Sequence, residues 1–478
     1  MNESKEAYMF PTSKKEVDAL GWDYIDVILF TGDAFVDHPS FGTACIARWL
    51  QKWGWRVAVV PQPNWRDDLR DFKKLGTPRL YFGVNAGAMD SMVNHYTASK
   101  RLRHDDAYTP DAKFGQRPDR AVTVYTKILK ELYPDVPVII GGVEASLRRL
   151  THYDYWDDCL MPSIVSSGAD YLCYGMGEKP MLEFTKGIEA GRSLHDMHKI
   201  PQLGFYMSGK PKIREGMLEL HSFEECKRDK RAFAENFHHI ETQANMMHPD
   251  TIIECCGDGY VQINPPYPPS SQEDMDSFWD LPFTKLPHPR YKGKRIPAYD
   301  MIKYSINTHR GCFGGCNFCT IAAHQGKFIQ SRSEESIVKE VKGLLSVPGF
   351  AGNISDLGAP TANMYGMKGK NPALCDVCRR KSCLFPAPCP NMNRSHERVL
   401  KMYHKVMSVK GIRHAYIGSG IRYDLFLNED GFVDKTSYPY LKELILDHTS
   451  GRLKVAPEHT EDNVLYYMGK PSFKLFCR

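Results

Sequence analysis

Three cysteines carry the strongest chemical signal in this sequence. They stand in His309-Arg310-Gly311-Cys312-Phe313-Gly314-Gly315-Cys316-Asn317-Phe318-Cys319. Thiolates are the ligands that iron–sulfur clusters require. Three of them can hold three irons of a cubane and leave the fourth open to a small molecule. Gly311, Gly314 and Gly315 let the backbone curl round such a group and turn amide N–H groups toward its sulfurs. Zinc is the plainer alternative, but a structural zinc takes four ligands and this loop offers no obvious fourth.

A second set, Cys375, Cys378, Cys383 and Cys389, falls within fifteen residues. Four thiols at short spacing can close a site with no open position. That suits zinc or a second iron–sulfur cluster. Two roles are open to it, a staple for its loop or a relay for electrons. The remaining cysteines are scattered and are expected to be small buried apolar residues.

These loops need elements to hold them. Residues 304–308 read as a strand that feeds the first loop. A helix over 334–345, a strand over 350–357, a helix over 394–409, a strand over 414–417, a helix over 438–447 and a strand over 453–456 follow. Strands alternating with helices, with the polar loops after the strands, predict a partial barrel of the TIM type. The second cysteine set lies in an insert, 361–393, between the second and third of these strands.

Upstream, short apolar strands at 24–30, 57–60, 80–84, 136–140 and 171–174 alternate with helical spacing at 42–53 and 121–132. That predicts a doubly wound α/β sheet. Ligands of such sheets bind beyond the carboxyl ends of the strands, which singles out residues 33–38, 141–144 and 175–178. Tight turns that need glycine explain the same residues equally well. Residues 263–290 are rich in proline and read as a stiff connector. The expected division is an α/β domain over 1–215, a connector over 216–296 and a second α/β domain over 297–478.

Length and charge set the limits. A chain of 478 residues exceeds one ordinary core. Its 62 basic and 57 acidic residues leave a net +5, too weak a bias to indicate a nucleic-acid partner. The first residues lack the apolar stretch of a signal peptide, and no apolar run is long enough to span a bilayer. A cytoplasmic location is expected. In that reducing compartment 14 cysteines point to metal or chemistry rather than to disulfides.

The first loop resembles the signature of the radical S-adenosylmethionine (SAM) superfamily, C-x3-C-x-aromatic-C, with Phe318 at the aromatic position. Nearly the whole chain resembles the uncharacterised YgiQ-like branch of that superfamily. The shared phrases include Ile140-Gly141-Gly142-Val143-Glu144-Ala145-Ser146, Leu357-Gly358-Ala359-Pro360-Thr361-Ala362-Asn363-Met364 and Lys454-Val455-Ala456-Pro457-Glu458-His459. The resemblance implies a [4Fe–4S] cluster on Cys312, Cys316 and Cys319 and SAM on the open iron. It also implies an electron donor such as flavodoxin or ferredoxin, and a substrate that it does not name. By the same resemblance Asp356 is a candidate for the SAM amino group, although the usual Gly-Gly-Glu is absent there. Ser419 and Arg422 are candidates for ribose and carboxylate.

Two departures bear on function. Superfamily barrels usually have six strands and four are counted here, so a C-terminally truncated chain is expected. An inactive fragment is then one alternative to an active enzyme, and a non-catalytic zinc-binding protein is another. Some members also hold cobalamin through Asp-x-His-x-x-Gly. The nearest match, Asp37-His38-Pro39-Ser40-Phe41-Gly42, breaks that spacing and argues against cobalt on His38.

Overall fold

Apolar β-branched runs form the centre of the first half of the chain. In a computed structural model that describes residues 10–428 and 430–478, nine strands build one twisted sheet. They are β1 (Val27–Thr31), β2 (Val57–Pro61), β3 (Tyr81–Asn85), β4 (Val138–Gly141), β5 (Tyr171–Cys173), β6 (Leu203–Met207), β7 (Met217–Glu219), β8 (Thr251–Cys256) and β9 (Gly259–Ile263). Their order is β2-β1-β3-β4-β5-β6-β9-β8-β7. The first five run parallel, in an order typical of doubly wound sheets. Every residue of β1 and of β2 is buried, because helices cover both faces. Helices Gly42–Lys52, Ala121–Leu132 and Glu178–Glu189 supply that cover with one apolar face each.

From β6 the sheet changes character. β6 pairs antiparallel with β5, β9 antiparallel with β6, and β8 antiparallel with β9. Residues 216–296, expected as a connector, therefore supply three strands of this sheet. The reason is the hairpin β8–β9, whose register closes on the two-residue turn Gly257-Asp258 with Gly257 at φ +64°. The two edges are short of free backbone. At β2 the Val59 N–H donates to Pro11 O at 3.0 Å, and β7 is only three residues long.

Contacts divide the chain into two compact units. One runs up to Ile240, with Pro249–Tyr267 and Leu281–Asp300. The other comprises Glu241–His248, Pro268–Asp280 and Met301–Arg478.

In the second unit β10 (Ser305–Asn307) pairs in parallel with β11 (Asp356–Gly358). Asn353–Ile354 pairs in parallel with His414–Ala415. Leu357 N–H donates to Tyr416 O at 2.8 Å and continues the series. The strand expected over 453–456 is reduced to one parallel bridge, Ile421 to Val455. Helices Glu334–Leu344 and Glu397–Met407 bury Ile337, Val341, Leu344, Val399, Met402 and Val406 against these strands. The mixed α/β fold is as the sequence predicted. Among the described residues no helix is long and apolar enough to cross a membrane.

Candidate metal centre

The cysteine loop is clamped at both ends. Immediately after β10, His309–Arg310 pairs antiparallel with Gln330–Ser331, so residues 311–329 leave and return at one place. Gly311 has φ +89°, and a Cβ there would overlap Phe328 O. Only glycine allows that approach. The Cys312 N–H donates to Gly326 O at 3.1 Å and the Cys319 N–H to Cys316 O at 3.1 Å. His309 is fully buried, which pushes its imidazole down to about 3 and keeps it neutral.

All three cysteines are half-buried and free. Cys312 Sγ lies 3.4 Å from Thr361 Oγ1. Arg422 Nη1 donates to Cys316 Sγ at 3.2 Å. Arg422 is fixed by Asp424, with Nε to Oδ1 at 2.8 Å and Nη2 to Oδ2 at 2.5 Å. Burial alone would lower its pKa, but the Asp424 carboxylate, with Cys316 and Cys312 adding, holds it above the ordinary value. Burial raises the Cys319 thiol, and Cys312 and Cys316 raise it further, while Lys470 opposes them. The three sulfurs thus share one electrostatic neighbourhood. A Cβ on Gly314 would sit 3.4 Å from Cys312 Sγ and 3.1 Å from Arg422 Nη1, so glycine keeps the space between them clear. Three soft donors, a glycine cradle and a cation aimed at sulfur fit a cubane with one open iron. Among the described residues no three His, Cys, Asp or Glu side chains converge on the position of a single metal ion.

Asp356 and Ser419 meet each other. Ser419 Oγ donates to Asp356 Oδ2 at 2.5 Å, and the Gly418 and Ser419 N–H groups donate to Oδ1 at 2.9 and 3.0 Å. Burial still raises the Asp356 carboxyl above its ordinary value. Phe318, at the aromatic position, is 51% exposed. Glu458 stands 3.5 Å from Lys470.

Sequence reasoning missed Lys470 and Thr361. Lys470 is 3% exposed and follows the helix Asp462–Met468, which ends on Gly469 at φ +70°. That stretch holds the loop directly. Asn317 N–H donates to Met468 O at 3.0 Å and Asn317 Nδ2 to Tyr467 O at 2.5 Å. No local pattern marks a lysine so distant in sequence as a neighbour of Cys319.

The strand ends of the first unit look different. Arg117 is buried between Asp33 (2.8 Å) and Asp106 (3.0 Å), with Nη1 on Ala86 O at 2.7 Å. Asn85 Oδ1 accepts from Thr31 Oγ1 at 2.9 Å and Gly87 N–H at 2.9 Å. Glu144 accepts from the Ser91 hydroxyl, from Ser91 N–H at 2.9 Å and from Val122 N–H at 3.0 Å. Gly87 has φ +109°, and a Cβ there would overlap the Asp33 carboxylate. His38 is buried and neutral, and its Nδ1 accepts the Ser40 N–H at 3.1 Å.

A family model described as radical SAM N-terminal matches residues 9–305. The chain belongs to the radical SAM family, in its YgiQ-like branch. A UPF0313 protein of Bacteroides thetaiotaomicron is 55% identical over 100% of this chain and 79% of its own length. One from Porphyromonas gingivalis is 55% identical over 98% of this chain and 74% of its own. UPF0313 protein YgiQ of Escherichia coli K12 is 43% identical over 99% of this chain and 70% of its own. Among solved structures, the radical SAM methyltransferase TsrM of Kitasatospora setae, with tryptophan and a SAM analog bound, is 15% identical. Its TM-score is 0.47, over 94% of this chain and 64% of TsrM.

Proposed function

We propose that the chain is a radical SAM enzyme that holds a [4Fe–4S] cluster on Cys312, Cys316 and Cys319. The observation that carries the reading is Arg422, a buried guanidinium that donates to Cys316 Sγ while Asp424 holds it in place. When bound and reduced, such a cluster supplies one electron to the sulfonium of SAM, whose carbon–sulfur bond breaks to give methionine and a 5′-deoxyadenosyl radical that takes hydrogen from substrate.

The side chains have separable tasks in this reading. The three thiolates bind three irons. Arg422 offsets their negative charge and orients Cys316. Asp356, kept in place by Ser419, has one lone pair left on Oδ2 for the SAM amino group, and Ser419 stands beside it for the ribose. Phe318 is free to lie against the adenine. Electrons come from a low-potential donor such as flavodoxin or ferredoxin, and the free cysteines suit the cytoplasm.

The test is anaerobic reconstitution, reduction with SAM present, and an assay for 5′-deoxyadenosine. The wild type is expected to form it and Cys316→Ala to form none. A cluster that leaves SAM whole would favour an inactive fragment. Zinc alone on these cysteines would overturn the reading.

A further inference from the structure

The insert is the second place where thiols gather. Cys375, Cys378, Cys383 and Cys389 are all half-buried and free. Cys378 N–H donates to Cys375 O at 3.2 Å and Cys389 N–H to Cys383 O at 2.7 Å, so one tight turn and one wider loop present the four side chains. Two further N–H groups aim at sulfur. Asn391 Nδ2 donates to Cys375 Sγ and the Arg380 N–H to Cys378 Sγ, both at 3.4 Å. Such donors are characteristic of iron–sulfur sites, where they tune the potential.

Charge points the same way. Lys327, only 3% exposed, donates to the carbonyl of Arg380, the residue whose N–H points at Cys378 Sγ. A buried ammonium is costly without an anion nearby. Neutral thiols do not supply one, whereas thiolates on a metal cluster do. A cubane holds its thiolates apart and does not ask them to meet at one ion position.

The insert also sits on the first loop. Cys383 N–H donates to Phe313 O at 3.0 Å and Ser382 Oγ to Gly314 O at 2.7 Å. Phe313, Met364, Met367, Leu384, Met392 and Leu425 form a small apolar core. Cys312 packs on that core from one set, and Cys383 and Cys389 from the other.

We infer that Cys375, Cys378, Cys383 and Cys389 hold a second iron–sulfur cluster that passes electrons to the one on Cys312, Cys316 and Cys319. The relay rests on the function proposed above, whereas the binding of iron at the insert stands without it. One electron leaves a ferredoxin- or flavodoxin-type donor, which is oxidised by one. The insert cluster is reduced and then reoxidised as it hands the electron on, with no bond made or broken there. The insert carries Lys368, Lys370, Arg379, Arg380 and Lys381 against Asp376 alone, a charge suited to an acidic donor.

The test counts iron and acid-labile sulfide after anaerobic reconstitution of the full chain and of two variants. One variant is Cys375→Ser/Cys378→Ser and the other Cys312→Ser/Cys316→Ser. Two cubanes predict about eight irons in the wild type and about four in each variant. In the wild type, SAM should shift the electron paramagnetic resonance of one reduced cluster and leave the other unchanged, a readout that needs no variant. If the wild type holds about four irons, kept by the insert variant and lost by the loop variant, the inference fails and the proposed function stands. If the loop variant keeps its full iron content, the proposed function and the relay both fail, and the binding of iron at the insert stands or falls on the insert variant. One zinc lost with the insert cysteines overturns the inference. With ferredoxin as donor the insert variant should form deoxyadenosine about tenfold more slowly, and with dithionite far less so. An equal fall with both donors overturns the relay.

Discussion

Both units place polar residues in the loops after parallel strands, and the two sets behave in opposite ways. In the first unit the groups answer one another. Asp33 meets Arg117, Asn85 gathers Thr31 and Gly87, and Glu144 is filled by Ser91 and Val122. In the second unit the two cysteine loops present sulfur, to which Arg422 donates, while Asp356 and Ser419 pair as the groups of the first unit do. A position beyond the carboxyl end of a strand is therefore not by itself a ligand site. Residue type decides, because carboxylates and amides can satisfy each other within the protein while clustered thiols gain little until a metal arrives.

The strongest way to break this comparison is to open the lock in the first unit. Arg117→Met leaves Asp33 and Asp106 buried without their cation. It should cost about 3–5 kcal/mol in urea unfolding, with iron per folded chain unchanged. A loss under ~1 kcal/mol would mean that the network is not a structural lock.

Glu254 gives the next effect. It is buried in β8 and accepts the Thr151 N–H at 2.8 Å. Burial pushes its carboxyl up to about 7 from 4.5. The folded state thus holds this proton more tightly than the unfolded one. The stability it contributes is complete below pH 4.5 and is lost as pH rises through about 7. Glu254→Gln should remove that decline and gain roughly 3 kcal/mol in alkaline buffer. Parallel stability curves for the two proteins from about pH 5 to pH 8 would sink the idea.

The smallest effect sharpens the other side. Ser382 Oγ donates to Gly314 O and accepts the Leu384 and Phe385 N–H groups at 3.0 and 2.9 Å. Ser382→Ala should cost about 1–2 kcal/mol. The loss should appear as faster proteolytic nicking of the insert, with little change in global unfolding. Unchanged nicking would show that the insert is held by its apolar core instead.

Much of this was legible in the sequence, for identifiable reasons. The ligand sets are contiguous, so Cys312, Cys316, Cys319 and the insert cysteines declare themselves by spacing. The buried strands β1 to β5 show as apolar runs. The second half of the large sheet was hidden because prolines at 265–269 and beyond dominate the reading of 216–296. Yet Gly257-Asp258 between two apolar runs is a hairpin signal in its own right. Lys327, Lys470 and Thr361 leave no local trace, since their importance comes only from what the fold brings beside them. Asp356 and Ser419, separately picked as cofactor contacts, prove to be each other's hydrogen-bond partners.

The large sheet also ends safely at both margins. On one side Val59 already gives its N–H to Pro11, and two residues on, Pro61 has none to give. On the other, Met217–Glu219 is too short to template a long pairing. A nascent or crowded chain therefore offers little purchase to the strands of another copy. This sheet should resist fibre growth along its edges even when the metal loops are empty.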